Sequence, residues 1–530
     1  MIKLPEDFVR QTQQYIGQEW HELAQALAQP PTRAARLQKF TADLAEPDLA
    51  EPGVAANGSS SRGQTEISSP WYTAGPLAVQ PVAVAAEMTE NVPWYKTGFY
   101  IQPDSQLGKT VLHELGGVYI QEASAMAAVA ALNPQPHERI LDLCAAPGSK
   151  ATAIGRRLQG QSLLYANEIV PARAKVLAQN LERSGIPALV TNDNPALLAK
   201  VWAGQFDAVL VDAPCSGEGM FRKDPDAAFE WSLDNVGMCS VRQQDILQSA
   251  VKLLKPGGRL VYSTCTLNPV ENEQVTAWAC KHLPLSLEPL PQWAGWETGR
   301  PEFTESGVNV EYTRRLWPHR GRGEGHFLAL FRLTGSTSRD GEHPSTDSLP
   351  HVRKKMKRSN PGTESNILKG QILADWKAWM KTIVVPEPEV FGPPVQYGDG
   401  IYVFTETSLP LTEVHVVRNG VCTAHLQNQR FTPHHQFAMA LHPQAFLQHK
   451  RLDEDEARAY LGGNTLATVN SHGWYGLSFA GLPAGWGKAV PGRVNNLYPK
   501  GLRKNNLIVL SDAVLGDAVL GDARPRLHDA

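Results

Sequence analysis

The sequence predicts an α/β protein built on a doubly wound, Rossmann-like sheet, and three observations carry that prediction. Short apolar runs recur between residues 140 and 263, amphipathic helical patterns with readable ends separate them, and acids and cysteines stand repeatedly where the runs stop. Alternating strands and helices at this spacing build a parallel sheet covered on both faces, with ligands at the carboxyl ends of the strands.

Residues 1–115 read as an N-terminal accessory segment. It contains a helix over Phe8 to Ala28 and a Gly/Ser-rich loop, Gly53 to Gln64, expected to be mobile. The α/β domain spans 116–333. Its strands are Ile140 to Leu143, Leu163 to Ala166, Ala188 to Thr191, Phe206 to Val211 and Arg259 to Ser263, each apolar enough for a buried parallel sheet. Pro171 opens a helix that buries Val176, Leu177 and Leu181 and stops at Gly185. A later helix carries Ile246, Leu247, Ala250, Val251 and Leu254 inward, and Pro256-Gly257-Gly258 ends it before the fifth strand. Residues 334–366, with the basic run Arg353 to Arg358, read as a linker. A smaller α+β region follows over 367–462, with a Trp-bearing helix at Ile367 to Lys381 and strands at Ile401 to Phe404 and Glu413 to Val417. Residues 463–510 form a further unit, and 511–530, with DAVLG twice, a disordered tail.

Composition narrows the class. Of 530 residues, 42% are hydrophobic and 19% charged, the balance of a globular chain. The amino terminus lacks an apolar leader and no run of about 18 apolar residues occurs, so the expectation is a cytoplasmic protein with no membrane partner. Six scattered cysteines never fall two apart, which argues against a cysteine-zinc site or any metal and leaves thiols free for chemistry in a reducing compartment. Net charge is −3, so the chain as a whole gives no sign of phosphate binding. Basic residues do cluster at Arg314 and Arg315, at Arg353 to Arg358, and at Lys500, Arg503 and Lys504.

The turn Leu141 to Lys150 (LDLCAAPGSK) follows a strand and opens a helix, with one glycine where a dinucleotide fingerprint needs three. It suits a smaller ligand whose amino acid end meets the backbone near Gly148, and S-adenosyl-L-methionine (SAM) has that shape. Glu168, ending the second strand, can take both ribose hydroxyls. Asp193, after the third, can accept from the adenine amine, and Asp212 ends the fourth beside the pocket.

Cys215 (in DAPCSGEG) and Cys265 (in STCTLNP) follow neighbouring strands and face the same crevice. Cys239, Cys280 and Cys422 read as core, and Cys144 as lining the cofactor loop. A thiolate is the group needed to methylate carbon 5 of a cytosine: addition at carbon 6 makes carbon 5 nucleophilic, and an acid near N3, here Asp212, favours the electron flow. Spacing does not say which cysteine attacks.

DLCAAPGSK, DAPCSGEG, STCT and Ile120 to Met126 (IQEASAM) together resemble the NOL/NOP/Sun family of RNA cytosine-5 methyltransferases. Asn268 to Glu273 and Arg315 to Leu330 resemble the same family, especially its bacterial RsmF branch. The resemblance covers about residues 90 to 333. Gly473 to Lys504 resembles the PUA-like RNA-binding appendage of that branch, and Pro31 to Phe40 its substrate-binding segment. The resemblance implies that Cys265 is the nucleophile, that Cys215 assists release, and that Cys144, Ala145, Ala146, Pro147, Gly148, Ser149, Lys150, Glu168, Asp193 and Asp212 contact SAM, Lys150 also lying near the base. It implies 16S ribosomal RNA or the small ribosomal subunit as partner, bound through the flanking segments; apart from the resemblance, the core is expected to fold without the region after Ser365. A transfer-RNA cytosine-5 methyltransferase and a non-catalytic ribosome-assembly factor remain the alternatives.

Overall fold

The apolar runs form the centre of one large sheet. In the computed structural model, which describes residues 4–38, 71, 87–335, 367–406, 408–467 and 472–508, β1 (Ile140–Asp142), β2 (Leu164–Asn167), β3 (Ala188–Thr191), β4 (Phe206–Asp212) and β5 (Leu254–Thr264) run parallel in the order β3-β2-β1-β4-β5. Order reverses between β1 and β4, which opens a crevice at their carboxyl ends. β6 (His326–Leu333) lies antiparallel on β5. Alternation assigns the two faces. Ile140, Ala208, Leu210, Val261 and Leu328 pack in the cluster that includes the helices Ala123–Leu132 and Ser149–Arg157, while Leu141, Val209, Val211, Leu260, Tyr262 and Phe327 pack in the one that includes the helix Leu233–Leu253. Both faces are covered, which is why these strands read as unbroken apolar runs.

The fifth strand departs from expectation at its start. The helix ends at Leu253, but pairing begins at Leu254, and Pro256-Gly257-Gly258 falls inside β5, where the register with β4 shifts between Phe206 and Ala208. The predicted N-terminal helix is also two: Gly17, at φ +57°, ends Glu6–Ile16 before Trp20–Leu27 begins. Phe8 and Trp20 pack with Phe221, Trp231 and Trp317, so these helices brace the loop that follows Cys215.

The region after the linker is not set apart from the sheet. β7 (Val416–Gln427) pairs antiparallel with β3, and Val395–Tyr397 and Gly400–Val403 continue the sheet beyond it. Leu409, Leu411, Val414 and Val416 enter the same apolar cluster as Leu198, Trp202 and Phe206. Trp202 Nε1 donates to the carbonyl of Pro410 at 3.0 Å, and Arg418 pairs with Glu182 at 2.6 Å. A five-stranded C-terminal sheet begins at His449–Leu452, upstream of the expected boundary at 463, because that strand pairs parallel with Gly473–Phe479. The linker's basic run, the loop at 53–64 and the 511–530 tail lie outside the described residues. Among the described residues no helix is long and apolar enough to cross a membrane.

Candidate active site

The loop between β1 and the helix Ser149–Arg157 is shaped by one glycine. Gly148 sits at φ +113°, which strains any side chain, and a Cβ there would also press on Leu177 Cδ1 at 3.3 Å and Asn180 Cβ at 3.4 Å. Arg173 donates to the carbonyl of Ala146 and Asn180 to that of Pro147, which pins the loop against the next helix. Ser149 and Lys150 open the helix. The Cys144 thiol is pushed up by burial and by the acids around it, so it stays protonated.

Asp142, the last residue of β1, was missed by the sequence reading although it stands within the turn identified there. It is fully buried, and among the described residues neither carboxylate oxygen has a hydrogen-bond partner of normal geometry. Burial, with Asp212 adding to it, pushes its carboxyl up to about 8. An orphaned buried acid at the head of the crevice fits a ligand that brings hydrogen-bond donors and positive charge, as the amino acid and sulfonium of SAM do. The acid ending a buried strand was the available signal.

Glu168 follows β2 and is 3% exposed; its Oε1 accepts from the Val170 amide at 2.9 Å, and Arg173 lies 3.5 Å from Oε2. Asp193 follows β3, and its Oδ2 accepts from the backbone amide of His415 at 2.5 Å. One oxygen of the expected adenine acceptor is therefore engaged by the C-terminal half of the chain.

At the ends of β4 and β5 the remaining residues converge. Lys150 Nζ donates to Asp212 Oδ2 at 2.7 Å and Ser263 Oγ to Asp212 Oδ1 at 2.7 Å. Burial works against both charges, yet each partner holds the other charged: Asp212 stays below the usual carboxylate range and Lys150 above its ordinary value. Cys215 and Cys265 approach with 3.3 Å between their sulfurs, both as free thiols. The hydrogen bond to Cys265, and then burial, raise Cys215 well above the ordinary thiol range, so Cys215 remains protonated while it faces its neighbour. Glu271, which accepts from Ser216 and Gln243, and Glu218, which accepts from Trp231, Asn268 and the Leu267 amide, lock the two cysteine loops together from behind. Cys239 and Cys422 are core as expected, and Cys280 is half-buried on its helix.

Two sequence clusters do not belong to any surface. Arg315 and Glu273 form a fully buried ion pair at 2.5 Å, and Arg314 spends its guanidinium on the carbonyls of Pro291, Leu290, Glu311 and Thr313. Arg36, in the segment expected to touch substrate, is also interior; it donates to Gln121 Oε1 at 2.7 Å and to the Ser149 carbonyl at 2.9 Å, tying the strand Ala34–Leu37 to the start of the helix Ser149–Arg157. Lys500, Arg503 and Lys504 are exposed.

Comparison with known proteins finds relatives along most of the chain. The family described as "16S rRNA methyltransferase RsmB/F" matches residues 129–332, "N-terminal domain of 16S rRNA methyltransferase RsmF" matches 76–123, and "Methyltransferase RsmF PUA domain" matches 449–504. The protein named "Ribosomal RNA small subunit methyltransferase F" in Shewanella loihica is 33% identical over 430 residues, 79% of this chain and 84% of that one. Its namesake in Aliivibrio fischeri is 33% identical over 433 residues, 79% and 86% of the two chains. The crystal structure of PH0851 shares the fold at a TM-score of 0.50 and 24% identity, covering 62% of this chain and 66% of that one.

Proposed function

Because the chain belongs to the RsmB/F family of 16S rRNA methyltransferases, we propose that it methylates carbon 5 of a cytidine in small-subunit ribosomal RNA through a covalent bond between Cys265 and the base. The observation that carries the cytosine-5 reading is the thiol pair, 3.3 Å apart, beside the Lys150–Asp212 ion pair at the mouth of the crevice. Methylation of an exocyclic amine needs no thiol at all.

When bound, SAM supplies a methyl group on a sulfonium, the electrophile for carbon 5. Asp142, the loop from Cys144 to Lys150, Glu168 and Asp193 are the groups that would hold it. The target base lies hidden inside any RNA helix and must be flipped out to enter. The Cys265 sulfur, as a thiolate, then adds to carbon 6, the carbon 5–carbon 6 π pair moves toward N3, and Asp212, steadied by Lys150 and Ser263, accepts from the amine while the Lys150 ammonium offsets the charge arriving at N3. Once methylated, carbon 5 must lose its proton before the sulfur–carbon 6 bond can break. Cys215 suits that step, because bonding of the Cys265 sulfur to the base removes the largest of the influences that raise the Cys215 thiol, burial remaining. The C-terminal unit, with Lys500, Arg503 and Lys504 exposed, supplies phosphate contacts that position the RNA.

Bisulfite sequencing of ribosomal and transfer RNA from cells with and without the gene tests the reading. Loss of a 5-methylcytidine from 16S rRNA supports it. Loss confined to transfer RNA, or no loss anywhere, defeats it.

A further inference from the structure

His326 opens β6 and has no part in the chemistry above. It is 2% exposed, and among the described residues its Nε2 has no hydrogen-bond partner. An unpaired buried nitrogen is costly, so a folded protein that keeps one commonly keeps it for something that arrives later.

Its position is set by the ladder between β5 and β6. Leu328 pairs with Ser263 and Phe327 with Thr264, so one further rung sets His326 opposite Cys265. Partners across a ladder project to the same face, and alternation puts His326 and Leu328 on the face that carries Ser263, whose hydroxyl already reaches Asp212. The charges that act on His326 are Lys150, Asp212 and Glu122, which reach it from the helix Ser149–Arg157, the end of β4 and the cap of the helix Ala123–Leu132. Each is already engaged elsewhere. Lys150 and Asp212 hold one another, and Glu122 accepts from Ser124 and from the amides of Ala125 and Glu324. Burial, with Lys150 next, lowers the imidazole to about 4, so the ring is neutral at working pH.

We propose that His326 is a catalytic residue of the base pocket, whose Nε2–H donates to the O2 carbonyl of the flipped cytosine. The proposal rests on the cytosine-5 reading. With the amine facing Asp212 and N3 facing Lys150, O2 is the one polar atom left on that edge of the base. As the Cys265 sulfur, its proton already lost to solvent, forms its bond to carbon 6 as a thiolate, the carbon 5–carbon 6 pair becomes the carbon 4–carbon 5 double bond and the former carbon 4–N3 pair settles on N3, its charge shared with O2. A neutral donor at O2 stabilises that charge without repelling Lys150.

The test uses the full chain and 16S rRNA transcribed with 5-fluorocytidine. Fluorine cannot leave carbon 5 as a proton does, so the protein–RNA adduct accumulates and its rate of formation reads the addition step. Wild type, His326→Leu and His326→Gln are compared for adduct formation with saturating SAM, SAM affinity by calorimetry, and melting temperature. The expected result is roughly ten- to hundredfold slower adduct formation in His326→Leu, the scale of one hydrogen bond to developing charge. SAM affinity and melting temperature should hold, and His326→Gln, which keeps an N–H donor, should recover most of the rate. An unchanged rate in His326→Leu overturns the proposal, as does a loss of rate that runs parallel to lost SAM affinity or melting temperature, or a glutamine variant as slow as leucine. Failure of wild type to form any adduct overturns the cytosine-5 reading along with it.

Discussion

The backbone amide of His415 donates to Asp193 Oδ2 at 2.5 Å, and the His415 carbonyl accepts from the Asn192 amide at 2.9 Å. This two-way clasp joins the C-terminal half of the chain to the edge of the crevice. The expectation that the core folds without that half meets a physical objection: β3 would become an open edge, and Leu409, Leu411, Val414 and Val416 would leave the core.

A chain ending near Leu333 is therefore expected to aggregate or to melt far below the full-length protein. Removing four buried aliphatic side chains forfeits about 1.5–3 kcal/mol each, comparable in sum to the whole stability of an ordinary domain. Solubility, thermal melting and SAM calorimetry on the truncated chain check this; a soluble product with unchanged melting and SAM affinity would show that β7 is dispensable.

The two cysteines should fail differently. Cys265→Ala is expected to be inactive and to leave no covalent RNA, whereas Cys215→Ala should attack and methylate but stall as a protein–RNA adduct. Denaturing gels with labelled RNA and SAM distinguish them, and the reverse pattern would make Cys215 the nucleophile.

Glu168→Ala should weaken SAM binding by about 1.5–3 kcal/mol, the value of a charge-assisted hydrogen bond. Asp193→Ala should do the same and also lower the melting temperature, because it releases the His415 amide. Calorimetry beside a melting curve separates the two effects; unchanged affinity in both variants removes these residues from the cofactor site.

Asp142 makes the apoprotein sensitive to pH. Its carboxyl is raised to about 8, so the folded state keeps a proton that the unfolded chain gives up near its ordinary value of 3.8. Stability from this group is full below about 4 and is lost as pH rises toward 8. Asp142→Asn should flatten that slope. Melting temperatures of the two proteins measured across this range should converge at the acid end; parallel curves would contradict the assignment.

Arg315→Ala should cost about 3–5 kcal/mol of stability by stranding a buried Glu273 charge. Its effect on RNA affinity in protein that remains folded should be negligible, unlike that of Lys500→Ala with Arg503→Ala. Filter binding at two salt concentrations, beside thermal melting, tests both halves of the expectation.

The sequence by itself determined the central sheet, its strand ends and the residues standing on them. Buried parallel strands must be continuously apolar, and the turn leaving a strand's carboxyl end carries the chemistry, so Cys215, Cys265, Asp212 and Glu168 could be found from local pattern alone. Tertiary structure decided what pairs with what across long separations. Arg315 read as part of a basic cluster, and Arg36 as part of a substrate-binding segment, until folding supplied Glu273 and Gln121 as interior partners. Asp142 and His326 read as ordinary strand residues, because being buried without a partner is a property of the whole surroundings and leaves no periodic trace. The pairing of β7 escaped for the same reason: the strand is recruited by the open hydrogen bonds of β3, which lies more than 200 residues earlier in the chain.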